Sequence, residues 1–198
     1  MEEVEYLKFL GIDIDKDITF GDINKKYRIL KMKKKNDVEF CKKLDDIYNY
    51  FNTNGVYSNM DKAQEIFQQV FLGSVKLAYD LERLNSYKIT HIISIAEEFP
   101  TKFPNFVNKN AGLPDSSMID INKEWLENCY FYIKNAISEN KDNKVLIHCQ
   151  FGRTRSAIVA TYFLSKILNI NITSAYEKLK TIRDVMIPEN IIELMKKF

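Results

Sequence analysis

The sequence predicts an α/β protein with a central, mostly parallel sheet flanked by helices, preceded by a small helical unit. Short β-branched runs alternate with longer segments of helical periodicity after residue 61, which is typical of a sheet covered by helices. Residues 51–61 are rich in Asn, Ser and Gly and separate this region from a helical beginning. The 198 residues suffice for one cored domain and an appendage. We therefore expect a helical unit over 1–55 and an α/β domain over 61–198.

The N-terminal unit is predicted to be helical. Ile23, Tyr27 and Leu30 recur at helical spacing, and apolar residues over 38–51 do the same. This second set comprises Val38, Cys41, Leu44, Ile47 and Phe51. A unit of about 50 residues is too small to be very stable unless it packs against the rest.

Patterns after residue 61 predict the elements of the α/β domain in order. Apolar runs of strand length alternate with helical faces, such as the one formed by Ile121, Trp125, Cys129, Ile133 and Ile137. We expect Trp125 to anchor the core. The predicted order is a strand and turn at 66–74, a strand at 91–97, a helix at 120–137, a strand at 145–149, a buried helix at 157–168, an amphipathic helix at 172–185 with Asn171 as its N-cap, and a short helix after Pro188.

Composition excludes several classes of protein. The formal charge of +2 gives no argument for nucleic-acid binding, and no apolar run approaches the roughly 18 residues of a membrane span. The acidic N-terminus is unlike a signal peptide. Three cysteines give no disulfide framework and, with two histidines, no zinc-ligand spacing. We expect a cytoplasmic protein, with nuclear access left open, and we expect it to need no metal or cofactor. Cys41 and Cys129 are expected to be core thiols. His91 is expected to have no catalytic role.

The turn after the strand at 145–149 carries the densest chemistry in the chain. Residues 148–156 read His-Cys-Gln-Phe-Gly-Arg-Thr-Arg-Ser and lead into the buried helix. The first N–H groups of a helix lack intrahelical partners and the helix dipole is positive there, so such a turn can bind a phosphate. Gly152 allows the curvature, and the Arg155 guanidinium can grip two anion oxygens.

Cys149 lies at the base of the same turn. A thiol at a helix N-terminus beside a guanidinium gives up its proton easily, and the thiolate is the competent nucleophile. Ser156 can donate a hydrogen bond to the sulfur, and His148 is expected to point into the scaffold and hold the loop. The phosphate would be bound by the backbone N–H groups of Gln150, Phe151, Gly152, Arg153, Thr154 and Arg155.

Residues 148–156 fit the H-C-x-x-G-x-x-R-S signature of the protein tyrosine phosphatase superfamily, and their surroundings resemble its dual-specificity branch. VFLGSVKLAYDLERLNSYKITHIISIAEE (70–98) is similar to the opening of that domain, and AYEKLKTIRDVMIPEN (175–190) to its C-terminal helices. LPDSSMIDI (113–121) resembles the segment that carries the family's general acid. The resemblance covers residues 61–198.

The resemblance implies that Asp115 protonates the leaving oxygen and then activates water. Asp120 is the alternative acid, although it suits a helix N-terminus better. Two positions depart from the commonest family pattern. Many relatives carry a small residue where Phe151 stands, which either rims the pocket or packs under the loop. Many relatives carry a neutral residue where Arg153 stands. Arg153 adds positive charge beside the mouth of the pocket, and some lipid phosphatases of the family have a basic residue at this position.

Residues 6–51 are similar to a J-domain in their Leu-Gly opening, Tyr-x-x-Leu helix and closing helix. Lys33-Lys34-Lys35 stand where the family's His-Pro-Asp would engage Hsp70. A solvated helix face is the simplest reading of the basic run, and an anionic membrane surface, an acidic partner or nucleic acid are the functional alternatives. The run comprises Lys25, Lys26, Arg28, Lys31, Lys33, Lys34 and Lys35.

The resemblance implies hydrolysis of phosphotyrosine and phosphoserine or phosphothreonine on proteins through a phosphocysteine. No segment resembles the extra loop that deepens the pocket of tyrosine-only relatives, so we expect a shallow pocket. Three alternatives stay open: a phosphoinositide or other phospholipid phosphatase, an RNA 5′-triphosphatase, and a phospho-binding module without turnover.

Overall fold

The computed structural model describes residues 2–13, 20–54, 62–114 and 121–198. The chain divides into two compact units, Met1–Asn59 and Met60–Phe198. Asp115 and Asp120, the two candidate acids, lie outside the described residues.

The first unit contains helices α1 (Glu2–Phe9), α2 (Phe20–Lys33) and α3 (Val38–Asn54). Its core includes Ile23 of α2 and Leu44, Ile47 and Phe51 of α3, as the apolar spacing predicts. The prediction is wrong for Val38, which is exposed, and for Cys41, which is only half-buried. These two residues lie in the first turn of α3, directly after the turn that connects it to α2.

The second unit is built on a five-stranded sheet in the order β1-β2-β5-β3-β4, and only the β1–β2 pair is antiparallel. The mostly parallel α/β fold class is therefore confirmed. The single strand and turn predicted at 66–74 are two strands joined by a turn in which Gln69 has φ 68°. The strands are β1 (Gln64–Phe67), β2 (Val70–Ser74), β3 (His91–Ala96), β4 (Val107–Leu113) and β5 (Val145–Cys149).

Helices cover both faces of this sheet. Side chains of β5 alternate between the two faces of the sheet. On one face, Val145, Ile147 and Cys149 join the larger core cluster with residues of α6 to α9. On the other face, Leu146 joins a smaller cluster with residues of α4 and α5. The helices are α4 (Val75–Ala78), α5 (Leu81–Ser86), α6 (Lys123–Glu139), α7 (Arg155–Leu168), α8 (Ile172–Ile182) and α9 (Glu189–Met195).

Capping residues set the helix boundaries that differ from the prediction. The helix expected from residue 120 begins at Lys123, because the Asn122 side chain accepts a hydrogen bond from the Trp125 N–H at 2.8 Å. Asn171 caps α8 as expected, accepting from the Ser174 N–H at 2.8 Å.

The connection from β5 to α7 lies at the carboxyl edge of the parallel strands, where α/β folds bind ligands. Cys149, the last residue of β5, is in register with Ser74, the last residue of β2. Helix α7 is buried over its first ten residues, so the loop between them is fixed at both ends. None of the helices in the described part of the chain has the length and apolar character that crossing a bilayer requires.

Candidate active site

The loop between β5 and α7 folds over the sulfur of Cys149. The Gly152 N–H donates to Cys149 Sγ at 3.3 Å, and the Ser156 hydroxyl donates to the same sulfur at 3.2 Å. All three residues are buried. The sulfur thus lies at the N-terminus of α7, with two donors directed at it, an arrangement that favours negative charge on that atom.

Gly152 adopts the conformation that this fold of the loop needs. Its φ of 71° lies in the left-handed region, which other residues rarely adopt. A Cβ there would lie 2.3 Å from the carbonyl oxygen of Gly73 on β2. The loop therefore packs directly against the neighbouring strand, and the Gln150 carbonyl also accepts from the Val75 N–H at 3.1 Å.

Arg155, the first residue of α7, is held by a carboxylate that sequence reasoning did not single out. Its two terminal nitrogens contact the two Glu98 oxygens at 2.7 and 2.6 Å, and Nη1 also donates to the Leu113 carbonyl at 3.1 Å. The hydrogen bond from Arg155 holds the pKa of Glu98 below its usual value, although burial opposes this. Glu98 follows β3 at the carboxyl edge of the sheet, where α/β folds bind ligands. Its position directly after a predicted strand could therefore have identified it as a candidate site residue.

Arg183, just after α8, was also missed, and it braces the loop from behind. Its Nε donates to the Gly152 carbonyl at 2.9 Å and its Nη2 to the Phe151 carbonyl at 3.0 Å. Nη1 donates to the Lys62 carbonyl at 3.1 Å and to Gln64 Oε1 on β1. Burial lowers the pKa of Arg183 to about 10, so it remains a cation at neutral pH. No local sequence pattern distinguishes this arginine from a surface one.

His148 lies on the opposite face of β5 from Cys149 because successive strand residues alternate. It is in register with Gly73 and Ser94 and is fully buried. Among the described residues, neither ring nitrogen has a hydrogen-bond partner within normal range. Burial lowers the pKa of His148 to about 4, although the Cys149 backbone acts in the opposite direction. His148 is therefore neutral and points into the scaffold; its role in holding the loop stays a prediction.

The expectation for Arg153 is wrong. Its side chain is 9% exposed and pairs with Asp184 at 2.9 Å, so its charge is buried and compensated by a carboxylate. The Arg153 carbonyl accepts from the Met186 N–H at 2.9 Å, which ties the loop to the chain after α8. Phe151 is half-buried, and Thr154 precedes α7 without a side-chain capping bond.

Residues expected to be structural lie away from these contacts. Cys129 is fully buried in the core, where desolvation raises the pKa of its thiol to about 12. Trp125 packs half-buried against the core and donates to the Ala111 carbonyl at 3.0 Å. His91 begins β3, beside the Thr90 hydroxyl.

A mostly parallel sheet whose central strand leads through a cupped loop into a buried helix is the arrangement of the protein tyrosine phosphatase superfamily. Residues 70–198 match the family described as the dual specificity phosphatase catalytic domain. The chain belongs to that family of hydrolases.

Relatives agree with this assignment, and solved structures agree with the fold. Protein phosphatase Slingshot of Drosophila melanogaster is 31% identical over 134 residues, covering 67% of this chain and 12% of that protein. Dual specificity protein phosphatase 2 of Mus musculus is 28% identical over 125 residues, 63% of this chain and 38% of that one. The chain thus spans well under two thirds of these relatives. The structure of human DUSP28 superimposes with a TM-score of 0.57 at 21% identity, covering 68% of this chain and 90% of that one. The resemblance of residues 6–51 to a J-domain finds no support in these matches.

Proposed function

We propose that the chain hydrolyses phosphotyrosine and phosphoserine or phosphothreonine on proteins through a phosphocysteine intermediate. The pair of donors on Cys149 Sγ, from Gly152 and Ser156, carries the proposal. They stabilise a thiolate at the position where the loop N–H groups and α7 attract a phosphate. The dual-specificity family and its Slingshot relative support proteins as the substrate class.

In the first step the thiolate attacks phosphorus, and the bond between phosphorus and the ester oxygen breaks. The electron pair of that bond stays on the leaving oxygen, which takes a proton from Asp115. Water then attacks the phosphocysteine while Asp115 accepts its proton. The phosphorus–sulfur bond breaks, and its electron pair returns to the sulfur, where the Ser156 hydroxyl stabilises the departing thiolate.

Arg155 binds the phosphate in both steps. A guanidinium matches two phosphate oxygens, and the Glu98 carboxylate with the Leu113 carbonyl holds it in one orientation before substrate arrives. Leu113 ends β4 two residues before Asp115. The hydrogen bond from Arg155 to the Leu113 carbonyl therefore also fixes the end of the strand that leads to the acid.

Hydrolysis of an aryl phosphate tests the chemistry. Cys149→Ser should abolish turnover and still bind a phosphotyrosine peptide, whereas Cys41→Ser, the same exchange at a half-buried thiol outside the site, should leave turnover unchanged. Asp115→Asn should slow alkyl phosphates far more than activated aryl phosphates, since only the poor leaving group needs the proton. Equal losses on both would identify a different acid, and turnover surviving in Cys149→Ser would refute the mechanism.

Hydrolysis of a phosphoinositide headgroup is the second candidate. The structural neighbour PTPMT1 has been solved in complex with PI(5)P, at 23% identity and a TM-score of 0.56. The compensated charge of Arg153 speaks against it, because the basic residue expected at the mouth is paired with Asp184. Phosphopeptides, phosphoinositides and 5′-triphosphate RNA should be compared at equal concentration. Faster release of phosphate from the lipid or the RNA would replace the protein assignment, and peptide binding without any turnover would indicate a binding module.

We also propose that the protein acts in the cytoplasm. The mechanism requires a reduced Cys149, and all three cysteines are free in the structure. Fractionation of cells that express the full chain tests this, and recovery in an oxidising compartment would contradict it.

A further inference from the structure

One surface of the first unit combines positive charge with exposed apolar side chains. We call it the cationic tip. It comprises the outer face of α2 and the turn into α3, with Lys25, Lys26, Arg28, Ile29, Met32, Lys33, Lys34, Lys35 and Val38. Met32 is 78% and Val38 81% exposed, the two highest values among the exposed large hydrophobic residues of the described chain.

The charge of the cationic tip is a local concentration and not a reflection of overall composition. The unit Met1–Asn59 contains 11 basic and 11 acidic residues and is formally neutral. Nine of its basic residues but only three of its acidic ones fall between positions 20 and 43. Lys31 is used internally, in an ion pair with Asp45, and the other basic residues of α2 are exposed. A surface this one-sided attracts anions.

The turn at the tip is hydrogen-bonded, so the apolar side chains are held outward by a defined backbone. The Lys34 N–H donates to the Leu30 carbonyl and the Asp37 N–H to the Lys34 carbonyl, both at 2.9 Å. The Asp37 side chain caps α3 by accepting from the Phe40 N–H at 3.0 Å. Asp37 and Glu39 are therefore two acids beside the tip, set against the larger number of basic residues there. Residues 32–38 line one shallow depression, which includes the exposed Met32 and Val38.

Helical spacing interleaves the two kinds of side chain. Ile29, which is 38% exposed, and Met32 are three residues apart and share a face of α2. Arg28 and Lys33 flank this apolar pair on either side, each at a spacing of four from one member. Apolar side chains bordered by lysine and arginine are the pattern of helices that lie in a membrane interface.

We propose that the cationic tip binds the surface of a bilayer containing anionic lipids. Met32, Val38 and Ile29 enter the boundary between headgroups and acyl chains, and the surrounding lysines contact the headgroups. The two protruding apolar residues favour a bilayer over nucleic acid, because they offer no aromatic face for stacking bases. They favour it over an acidic protein segment as well, since charge pairing alone leaves them in water. The proposal does not depend on the phosphatase assignment.

Sedimentation of the full chain with vesicles tests the proposal. The protein should bind phosphatidylcholine vesicles that contain phosphatidylserine and stay in solution with phosphatidylcholine alone. Exchanging Lys33, Lys34 and Lys35 together for glutamine should weaken binding about a hundredfold, since each basic residue near an anionic surface contributes about 1 kcal/mol. The matched control exchanges exposed Lys141, Lys178 and Lys197 of the second unit for glutamine and should bind like the parent protein.

A second pair of exchanges isolates the apolar contribution. Met32→Gln with Val38→Thr keeps every charge and should weaken vesicle binding most clearly at high salt, where the electrostatic part is screened. Circular dichroism of each variant confirms that the helices are retained. Absence of vesicle binding by the parent protein would overturn the proposal, as would an equal loss in the control triple variant. Tight binding to heparin or RNA without binding to vesicles would assign the surface to a polyanion instead.

Discussion

Replacing Gly152 by alanine tests whether the loop over Cys149 depends on its backbone conformation. A non-glycine residue at φ 71° costs about 1–2 kcal/mol. The new Cβ would lie 2.3 Å from the Gly73 carbonyl oxygen and 2.7 Å from Arg183 Nη2, whereas ordinary contacts begin at 3.4 Å. The loop must therefore retreat by about 1 Å, a displacement that can cost about a hundredfold in rate.

The assay is steady-state hydrolysis of an aryl phosphate by the folded variant, with thermal unfolding measured in parallel. We expect kcat to fall about a hundredfold, because the Gly152 N–H no longer reaches the sulfur. Gly73→Ala is the matched control: its Cβ would meet a methyl group of Leu146 at 3.0 Å and no backbone atom. That variant should lose stability by about 1–3 kcal/mol and keep most of its turnover. Parental kcat in Gly152→Ala would refute the reasoning.

Three further predictions concern the groups around the loop. Ser156→Ala removes the hydroxyl that donates to the sulfur at 3.2 Å, so rapid-quench kinetics should show phosphocysteine accumulating; an unchanged breakdown rate would contradict this. Arg183→Met leaves the buried Gly152 carbonyl without its donor, at about 1–3 kcal/mol, and also removes the donor to the partly buried Phe151 carbonyl. Both the melting temperature and kcat should therefore fall. Arg183→Lys should lose less of each, and a Met variant with unaltered values would exclude a bracing role. His148 has a pKa of about 4 in the folded protein, against the ordinary histidine value of 6.5. The unfolded chain therefore binds a proton that the folded one does not, and the free energy of unfolding should decrease by about 3 kcal/mol as pH falls through that interval. Urea unfolding of His148→Asn should show a shallower pH dependence, and the same slope in both proteins would contradict the assignment.

The sequence was most informative where periodicity and local chemistry coincide. The strand at 145–149, the buried helix after it and the Asn171 cap follow from apolar runs and a capping residue, which are local signals. Strand β4 was missed because it lies at the edge of the sheet, with the polar run Asn108-Lys109-Asn110 at its centre and exposed residues at four of its seven positions. The turn at Gln69 was missed because it contains neither Gly nor Pro.

The candidate site divides in the same way. Cys149, Gly152 and Ser156 are within eight consecutive residues, so their proximity can be read along the chain. Glu98 and Arg183 reach the loop from 57 and 31 residues away, and only the packing of strands and helices brings them there. Arg153 was misjudged for the same reason, since its partner Asp184 belongs to the segment after α8.

The brace formed by Arg183 has a practical consequence for preparing the catalytic unit by itself. The family match begins at residue 70, yet two of the groups that hold this guanidinium, the Lys62 carbonyl and the Gln64 side chain, come earlier in the chain. A fragment cut at the family boundary would remove strand β1 and both of these acceptors while retaining every residue of the signature. An excised domain should therefore begin before residue 62. Low activity in a shorter fragment would reflect a less rigid loop between β5 and α7 and not a defective nucleophile.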